Sequence, residues 1–429
     1  MHHDIVIVGG GAGGLELAAQ LGRALGKRRG QDKVLLVDRA SFHIWKPTLH
    51  EVAAGTLDLH QEGLSYVTLA RRNHFGFTLG ELAGLDAAQR RLTLAPVLDE
   101  QGRELVPQRV LSYRWLVLAL GSGSNFFGTP GAEHAHVLEQ SRDAERFRQR
   151  LLAAFVQASF SAHKSLAVAI VGGGATGVEL SAELVEAHQE LDQGLGQEQR
   201  FRLDITLVEA APRILAGLPE KISAQAQLAL QRKQVKVLTG TQVQAIEADA
   251  LRTAQGRIAA DLIVWAAGIK AAEGNQRLGL AVNRGNQFVV DAQLRTSAEG
   301  VYAMGDCAAC AWPGGAEGRL VPARAQAAHQ QASHLKRVLL GLLAERPVDA
   351  PFVYRDFGSL VSLGENRGVG NLMGGLGGPN FFVEGLIAKW MYMSLHLNHH
   401  RAILGTVDTV VLALARLLQR RVSGRLKLH

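Results

Sequence analysis

Residues 7–21 read IVGGGAGGLELAAQL and residues 170–184 read IVGGGATGVELSAEL, a copy 163 residues downstream that matches at eleven of fifteen positions. Each copy follows an apolar run, Ile5-Val6-Ile7-Val8 in the first and LAVAIV in the second, suited to a buried parallel strand. Each continues into an alanine- and leucine-rich helical pattern. Between strand and helix stand Gly9, Gly11 and Gly14, then Gly172, Gly174 and Gly177, in G-x-G-x-x-G spacing. The first glycine permits a tight turn, the second lets a pyrophosphate approach the backbone, and the third lets helix and strand pack closely. The helix N-terminus, carrying about half a positive charge, faces that pyrophosphate.

Both copies also have the acid that the frame requires. VLLVD ends a second strand at Asp38 and ITLVE ends one at Glu209, each placed to hold a ribose hydroxyl pair. The chain is therefore built to hold two dinucleotides. Its 429 residues allow two or three domains with substantial cores, and 47% apolar with 20% charged residues describe a folded protein. Two cysteines and a first strand beginning within five residues of Met1 argue against a disulfide-stapled secreted scaffold. The sequence reads as intracellular.

The pass along the chain gives an α/β protein. Strand and helix signals alternate to residue 125, and RWLVLALGSGSNF at 114–126 is an apolar strand entering a glycine-serine turn. GTPG at 128–131 crosses into a second unit, where a charged helix covers 140–160 and strands recur at 201–209, 235–238 and 261–266. QELDQGLGQEQR at 189–200 reads as a polar surface loop. After residue 285 the character of the first unit returns, with two short strands ahead of Gly305-Asp306 and a helix over 323–343. The expected division is 1–125 and 285–345 for a split first domain, 126–284 for a second domain inserted in it, and 346–429 for a mainly helical C-terminal region.

Four ordered motifs carry a resemblance: the two fingerprints, Asp38, and VYAMGDCA around Asp306. Over residues 4–345 the chain resembles the two-dinucleotide flavoproteins, with two Rossmann-like domains. Within them it is most similar to the type II NADH:quinone oxidoreductases. FHIWKPTLHEVAAGTLD at 42–58, WAAGIKA at 265–271 and ARAQAAHQQASHL at 323–335 look like segments of that family, as does the stretch from FGSLVSLG to RLKLH. The resemblance implies FAD held by Gly9, Gly11, Ala12, Gly13, Gly14, Asp38, Arg39, Lys46, Ala119, Gly121, Ser122, Asp306, Ala325 and Gln326. It implies NADH held by Gly172, Gly174, Ala175, Thr176, Gly177, Glu209, Ala267 and Gly268. One departure is Ala119-Leu120-Gly121 where many relatives carry Ala-Thr-Gly, which removes a threonine hydroxyl.

Flavin and nicotinamide together imply hydride transfer from NADH and delivery of two electrons elsewhere, with the protein supplying position and electrostatics. A dithiol acceptor is disfavoured, because residues 38–60 contain no cysteine. Cys307-x-x-Cys310 has redox or metal spacing but follows Asp306 directly, where a packing role is expected. Glu179, in the first turn of the second fingerprint helix, is expected near the nicotinamide or in proton delivery. Gln326 and His329 lie at i and i+3, on one helical face. The resemblance puts both near the quinone, where His329 could relay a proton. Glu209 favours NADH over NADPH, since a carboxylate repels a 2′-phosphate; Arg213 nearby reads as a surface charge.

Of the net charge of +7, the segment from Phe381 onward carries seven Lys/Arg against two acids, or +5, leaving +2 for the other 380 residues. The chain offers no recognised nucleic-acid module. Ile403, Leu404, Val407, Val410, Val411, Leu414, Leu417 and Leu418 form one helical stripe, and Phe382, Leu386, Trp390, Met393 and Leu397 form another. Arg401, Arg416, Arg420, Arg421, Arg425 and Lys427 flank them, a pattern that suits a helix lying in an anionic membrane surface. No run of 18 apolar residues exists, so nothing is expected to span the bilayer. His396-x-x-His399-His400 has helical metal-ligand spacing without a nearby carboxylate in sequence, and reads as interfacial histidine. The expected setting is peripheral, on the cytoplasmic face of a bacterial inner membrane, with ubiquinone or menaquinone as acceptor; a homodimer is left open. A soluble NADH oxidase or diaphorase, and a non-catalytic flavin/NAD redox sensor, are the competing readings.

Overall fold

The computed structural model describes the chain except Met1, Glu100, 315–317, 365–367, 373–380, 424–425 and 427–429, and omits the side chains of 371–372, 381–384, 386, 388–390 and 419–423. It is an α/β protein built on two sheets, the first mixed but mainly parallel and the second wholly parallel. β1 (His2–Val8), β2 (Val34–Asp38) and β3 (Gly76–Leu79) run parallel, followed by the antiparallel β4 (Leu82–Asp86) and β5 (Arg91–Leu94). β6 (Arg109–Leu118) is long enough to serve two neighbours on one flank. Its first half pairs antiparallel with β5 and its second half parallel with a later strand, Val301–Ala303, while β1 lies along its other flank. The two-residue β7 (Gly123–Ser124) follows.

The second sheet repeats the design with β8 (Ser165–Val171), β9 (Arg202–Val208), β10 (Lys236–Leu238) and β11 (Leu262–Trp265), all parallel in the order β10-β9-β8-β11. β12 (Ile269–Lys270) then pairs back onto β7, so a short ribbon joins the two units edge to edge. Trp265 tightens this joint, its indole N–H donating to the carbonyls of Asn125 at 2.9 Å and Ala267 at 2.8 Å. Downstream of β13 (Val301–Ala303) lies an antiparallel trio, β14 (Gly358–Ser362), β15 (Gly368–Leu372) and β16 (Phe381–Glu384), and two helices follow it.

The helices that matter for the site are α1 (Ala12–Leu25), α2 (Leu49–Ala54), α3 (Tyr66–Asn73), α4 (Ser141–Phe160), α5 (Ala175–Gly194), α6 (Ala325–Leu343), α7 (Gly385–Leu404) and α8 (Thr406–Ser423). α1 and α5 start directly after the two glycine turns. α1 buries Leu15, Leu17 and Leu21 against β1 and α6, each contributing about 1.5–3 kcal/mol. The segment 189–200 is not simply a loop. α5 continues through it to Gly194 and a short turn follows at Gln197–Gln199. The polar residues continue the helix's solvent face, and His188 anchors it on the Phe201 carbonyl at 2.9 Å.

Two C-terminal expectations also change. The stripe from Ile403 to Leu418 is not one helix, because Gly405, at φ +84°, separates α7 from α8. Ile403 is buried in the first domain's core while Val407 through Leu418 lie on a separate, exposed helix. Phe382 belongs to β16 and not to the α7 stripe; its side chain and those of Leu386 and Trp390 lie outside the described residues, as do those of Arg420, Arg421, Arg425 and Lys427. Arg23 donates to the Ala402 carbonyl at 2.6 Å and Asn73 to that of Ile403 at 2.9 Å. These donors satisfy the last carbonyls of α7 and tie it to α1 and α3.

Candidate functional site

Each glycine of the two cradles has the job its position demands. A Cβ on Gly9, at φ +106°, would run into the Ala119 carbonyl, and one on Gly14 into that of Gly9. In the second copy Gly172, at φ +111°, would meet the Ala267 nitrogen at 2.6 Å, and Gly177 the Gly172 carbonyl. Gly11 and Gly174 differ: a Cβ there meets nothing within 4 Å. That open space above a helix N-terminus, at the same place in both copies, fits a pyrophosphate. Ala12 and Gly13 begin α1, and Ala175 and Thr176 begin α5. Gly13 packs so closely that a Cβ would press on Met304 and Ala328.

The two acids are held alike. Asp38 accepts from the N–H of Gly10 at 2.6 Å and of Ala40 at 2.8 Å; Glu209 accepts from Gly173 at 2.6 Å and Ala211 at 2.7 Å. Burial pushes the Asp38 carboxyl up, against the pull of those N–H groups. The structure also gathers the residues expected at the flavin. Lys46 Nζ donates to the Ser122 carbonyl at 3.0 Å, and Ser122 Oγ donates to Asp306 Oδ2 at 2.8 Å, next to Gly121 at φ +72°. Arg39 points away, toward Glu81 at 3.5 Å on the exposed surface. Ala325 opens α6, and Gly268, at φ +67°, follows Ala267 at the joint between the units. Arg213 is not a free surface charge, since it donates to the carbonyls of Leu215, Ala216 and Leu218 and braces its own loop.

A Gly9→Ala variant is expected to lose the FAD that the resemblance assigns to this cradle, because both the φ angle and the Ala119 carbonyl exclude a methyl group. Purification in the presence of FAD should give colourless or aggregated protein, which absorbance near 450 nm would show.

Glu179 is the fifth residue of α5, one turn further along than expected, and is buried. It accepts from the backbone N–H of Ser362 at 3.0 Å, so β14 closes over it. Burial, with Glu51 and Glu183 nearby, pushes its carboxyl up to about 8. His50 Nδ1 lies 3.5 Å away and burial pushes that imidazole down to about 4. The two groups are therefore both neutral at pH 7. At that distance an ion pair would not repay the desolvation of two buried charges.

Gln326 and His329 do not share a target. Gln326 donates to Asp356 Oδ1 at 3.1 Å and the Gly358 carbonyl at 3.0 Å, and accepts from Phe357 N–H at 3.1 Å. Its amide is committed to the strap that leads into β14. His329 Nδ1 pairs instead with Glu16 of α1. Cys307 and Cys310 are buried thiols whose protons burial holds up to about 11, bonded to main-chain carbonyls. Such thiols pack and do not attack. His399 and His400 are buried too and not interfacial, while His396 stacks on Trp45 with ring centroids 4.8 Å apart.

Several partners were not singled out from the sequence: His50 and Ser362 around Glu179, Gln287 and Gln331 on the Gly305-Asp306 turn, Asp356, and Glu16. For Glu16 a signal existed, since it occupies in the first copy of the repeat the position that Glu179 occupies in the second. The others come from distant loops and strands that no short motif connects.

Two Rossmann-type cradles of one frame, joined edge to edge and followed by a helical C-terminal region, define an oxidoreductase with two dinucleotide sites. Residues 3–332 match the pyridine nucleotide-disulphide oxidoreductase family. The chain is 40% identical over 449 aligned positions to the type II NADH:quinone oxidoreductase of Haemophilus influenzae, covering 99% of this chain and all of that one. It is 27% identical to the type II NADH:quinone oxidoreductase of Staphylococcus saprophyticus (86% of this chain, 90% of that one) and 29% to a demethylphylloquinone reductase of Synechocystis (87% of each). In fold it is similar to NDH2 of Plasmodium falciparum in complex with NADH, with a TM-score of 0.81, 18% identity and 99% of both chains covered. The chain belongs to the pyridine nucleotide-disulphide oxidoreductase family and, within it, to the type II NADH:quinone oxidoreductases. FAD and NAD(H) are its cofactors.

Proposed function

We propose that this chain oxidises NADH and reduces a membrane quinone, as a peripheral, non-proton-pumping respiratory dehydrogenase on the cytoplasmic face of a bacterial inner membrane. Bound FAD would supply the acceptor for the NADH hydride and the source of two electrons for the quinone. The protein's work is to hold and to protonate. Residues 1–125 and 285–345 form the FAD domain, 126–284 the NADH domain and 346–429 the membrane-facing region. Gly11 and Gly174 admit the two pyrophosphates; Asp38 and Glu209 hold the riboses. Lys46, Ser122 and Asp306 line the flavin side. Glu179, neutral and buried under β14, holds a proton for the acceptor side, and His329 relays one at its imidazole. Gln326 positions the strap at 356–358.

The observation that carries this reading is the exposed apolar stripe of α8 attached to two cradles of one frame. Val407, Val410, Val411, Leu414, Leu417 and Leu418 are all exposed on that helix, and among the described residues no helix is long and apolar enough to cross a membrane. Arg416 supports the stripe from behind and does not face outward, for it pairs with Glu62 and approaches His400. An interfacial helix fits these facts.

The deciding experiment is anaerobic: NADH bleaches the flavin of the purified protein, and added ubiquinone or menaquinone restores its spectrum. Recovery only with oxygen or with disulfides would overturn the quinone reading. Glu209→Gln gives a second check. Removing the charge is expected to narrow the NADH-over-NADPH preference in kcat/KM by about tenfold or more, by relieving repulsion of a 2′-phosphate.

A further inference from the structure

Behind the FAD cradle lies a cluster of side chains that the reading above does not use as a unit. Glu16 on α1, His329 on α6 and His399 on α7 each offer a ligand atom, and these atoms lie within 4.8 Å of one another. Glu16 and His399 are buried and His329 is partly buried. Glu16 already pairs with His329 Nδ1 and receives Gln20 Nε2 at 2.7 Å on its other oxygen.

The neighbouring imidazole fixes the protonation of the third member. His43 Nδ1 lies 2.9 Å from the Gly10 carbonyl, which can only accept, so that nitrogen carries a proton and Nε2 carries a lone pair. His399 Nε2 lies 2.8 Å from that lone pair and therefore donates to it. His399 Nδ1 is left with a lone pair, buried, and with no hydrogen-bond partner among the described residues. A buried acceptor without a partner is costly unless something else fills the role. His43 also stands to His399 as outer partners stand to metal-bound histidines, taking the ring N–H and holding the ring in place.

We infer that Glu16, His329 and His399 form a binding site for a divalent transition metal of the Zn2+ class, three protein ligands with a position left open on the His329 side. Two imidazoles and one carboxylate suit Zn2+ and its borderline neighbours and do not suit Ca2+ or Mg2+. The site joins α7 to α1 and α6, so an occupied site fastens the C-terminal region to the FAD domain. It also takes the lone pair of His329, which stops that imidazole from relaying protons while the metal stays bound. The binding claim itself does not depend on the quinone reading.

The test uses the FAD-loaded full chain, stripped with a chelator and dialysed against Zn2+ buffered in the micromolar range. One Zn2+ per chain by elemental analysis is expected. His399→Ala and Glu16→Gln should each weaken binding at least about 30-fold while FAD content stays stoichiometric, which shows that the fold persists. A Cys307→Ser/Cys310→Ser variant and a His2→Ala/His3→Ala variant should bind as the parent does. Co2+ offers an independent readout, because a site with nitrogen and oxygen ligands gives visible bands beyond the flavin absorption, and these should vanish in His399→Ala. Absence of stoichiometric Zn2+ in the parent, unchanged binding in both ligand variants, or loss of binding with the cysteines would each overturn the assignment.

Discussion

Replacing Val410, Leu414 and Leu417 together by glutamate is expected to cut binding to anionic lipid vesicles at least about 100-fold. NADH-dependent reduction of a soluble acceptor such as ferricyanide should stay within about twofold of the parent. Each of the three side chains is more than half exposed on α8, so the free protein does not depend on them for its core. Inserting an exposed Val or Leu into the acyl boundary gains about 1.5–3 kcal/mol. Three charges of the membrane's own sign add repulsion of about 1 kcal/mol each near the surface. The combined loss exceeds the 2.7 kcal/mol, about two factors of ten, that a 100-fold change requires. Vesicle flotation measures the binding, and quinone reduction in the same vesicles should fall with it. Parent-like flotation would show that α8 does not meet the lipid. A parallel loss of ferricyanide reduction would show that the helix holds up the fold instead.

How much of this was legible in the sequence depends on how local the cause was. The cradles were, because G-x-G-x-x-G is a constraint on successive residues: Gly9 and Gly14 are forced by contacts with Ala119 and with Gly9 itself. Asp38 and Glu209 were legible for the same reason, as they close hydrogen bonds to their own glycine turns. The C-terminal region was harder. Periodicity shows which residues share a helical face but not where the chain bends, so the break at Gly405 disappeared inside a stripe that runs through it. Arg416 looked like part of a basic edge because Glu62, 354 positions earlier, cannot be seen beside it in sequence. His399 suffered the same way. Its carboxylate neighbour, Glu16, comes from the other end of the chain, carried there by the packing of α7 on α1.

Glu179→Gln should lower quinone turnover about 100-fold, the usual scale for losing one positioned proton donor, with little effect on FAD content. The substitution is chosen because glutamine keeps an oxygen to accept from the Ser362 N–H, so β14 stays closed over α5. The pH profile separates a proton-donating role from a merely structural one. Burial holds this carboxyl protonated up to about 8. The parent's kcat should therefore decline as pH rises through about 8, when the donor loses its proton, and the variant's should not share that limb. Stability should follow a matching pattern. A carboxyl released by unfolding ionises near 4.5, so between that value and about 8 unfolding releases a proton and the parent's stability falls as pH rises. Glutamine removes this slope. His50, pushed down to about 4 by its own burial, acts below its ordinary range near 6.5 and in both proteins alike, so thermal melts from pH 6.5 upward isolate Glu179. Parallel melting curves across that range, or an unchanged alkaline limb in turnover, would remove the buried proton from this carboxylate and with it the proposed role of Glu179 in supplying the acceptor.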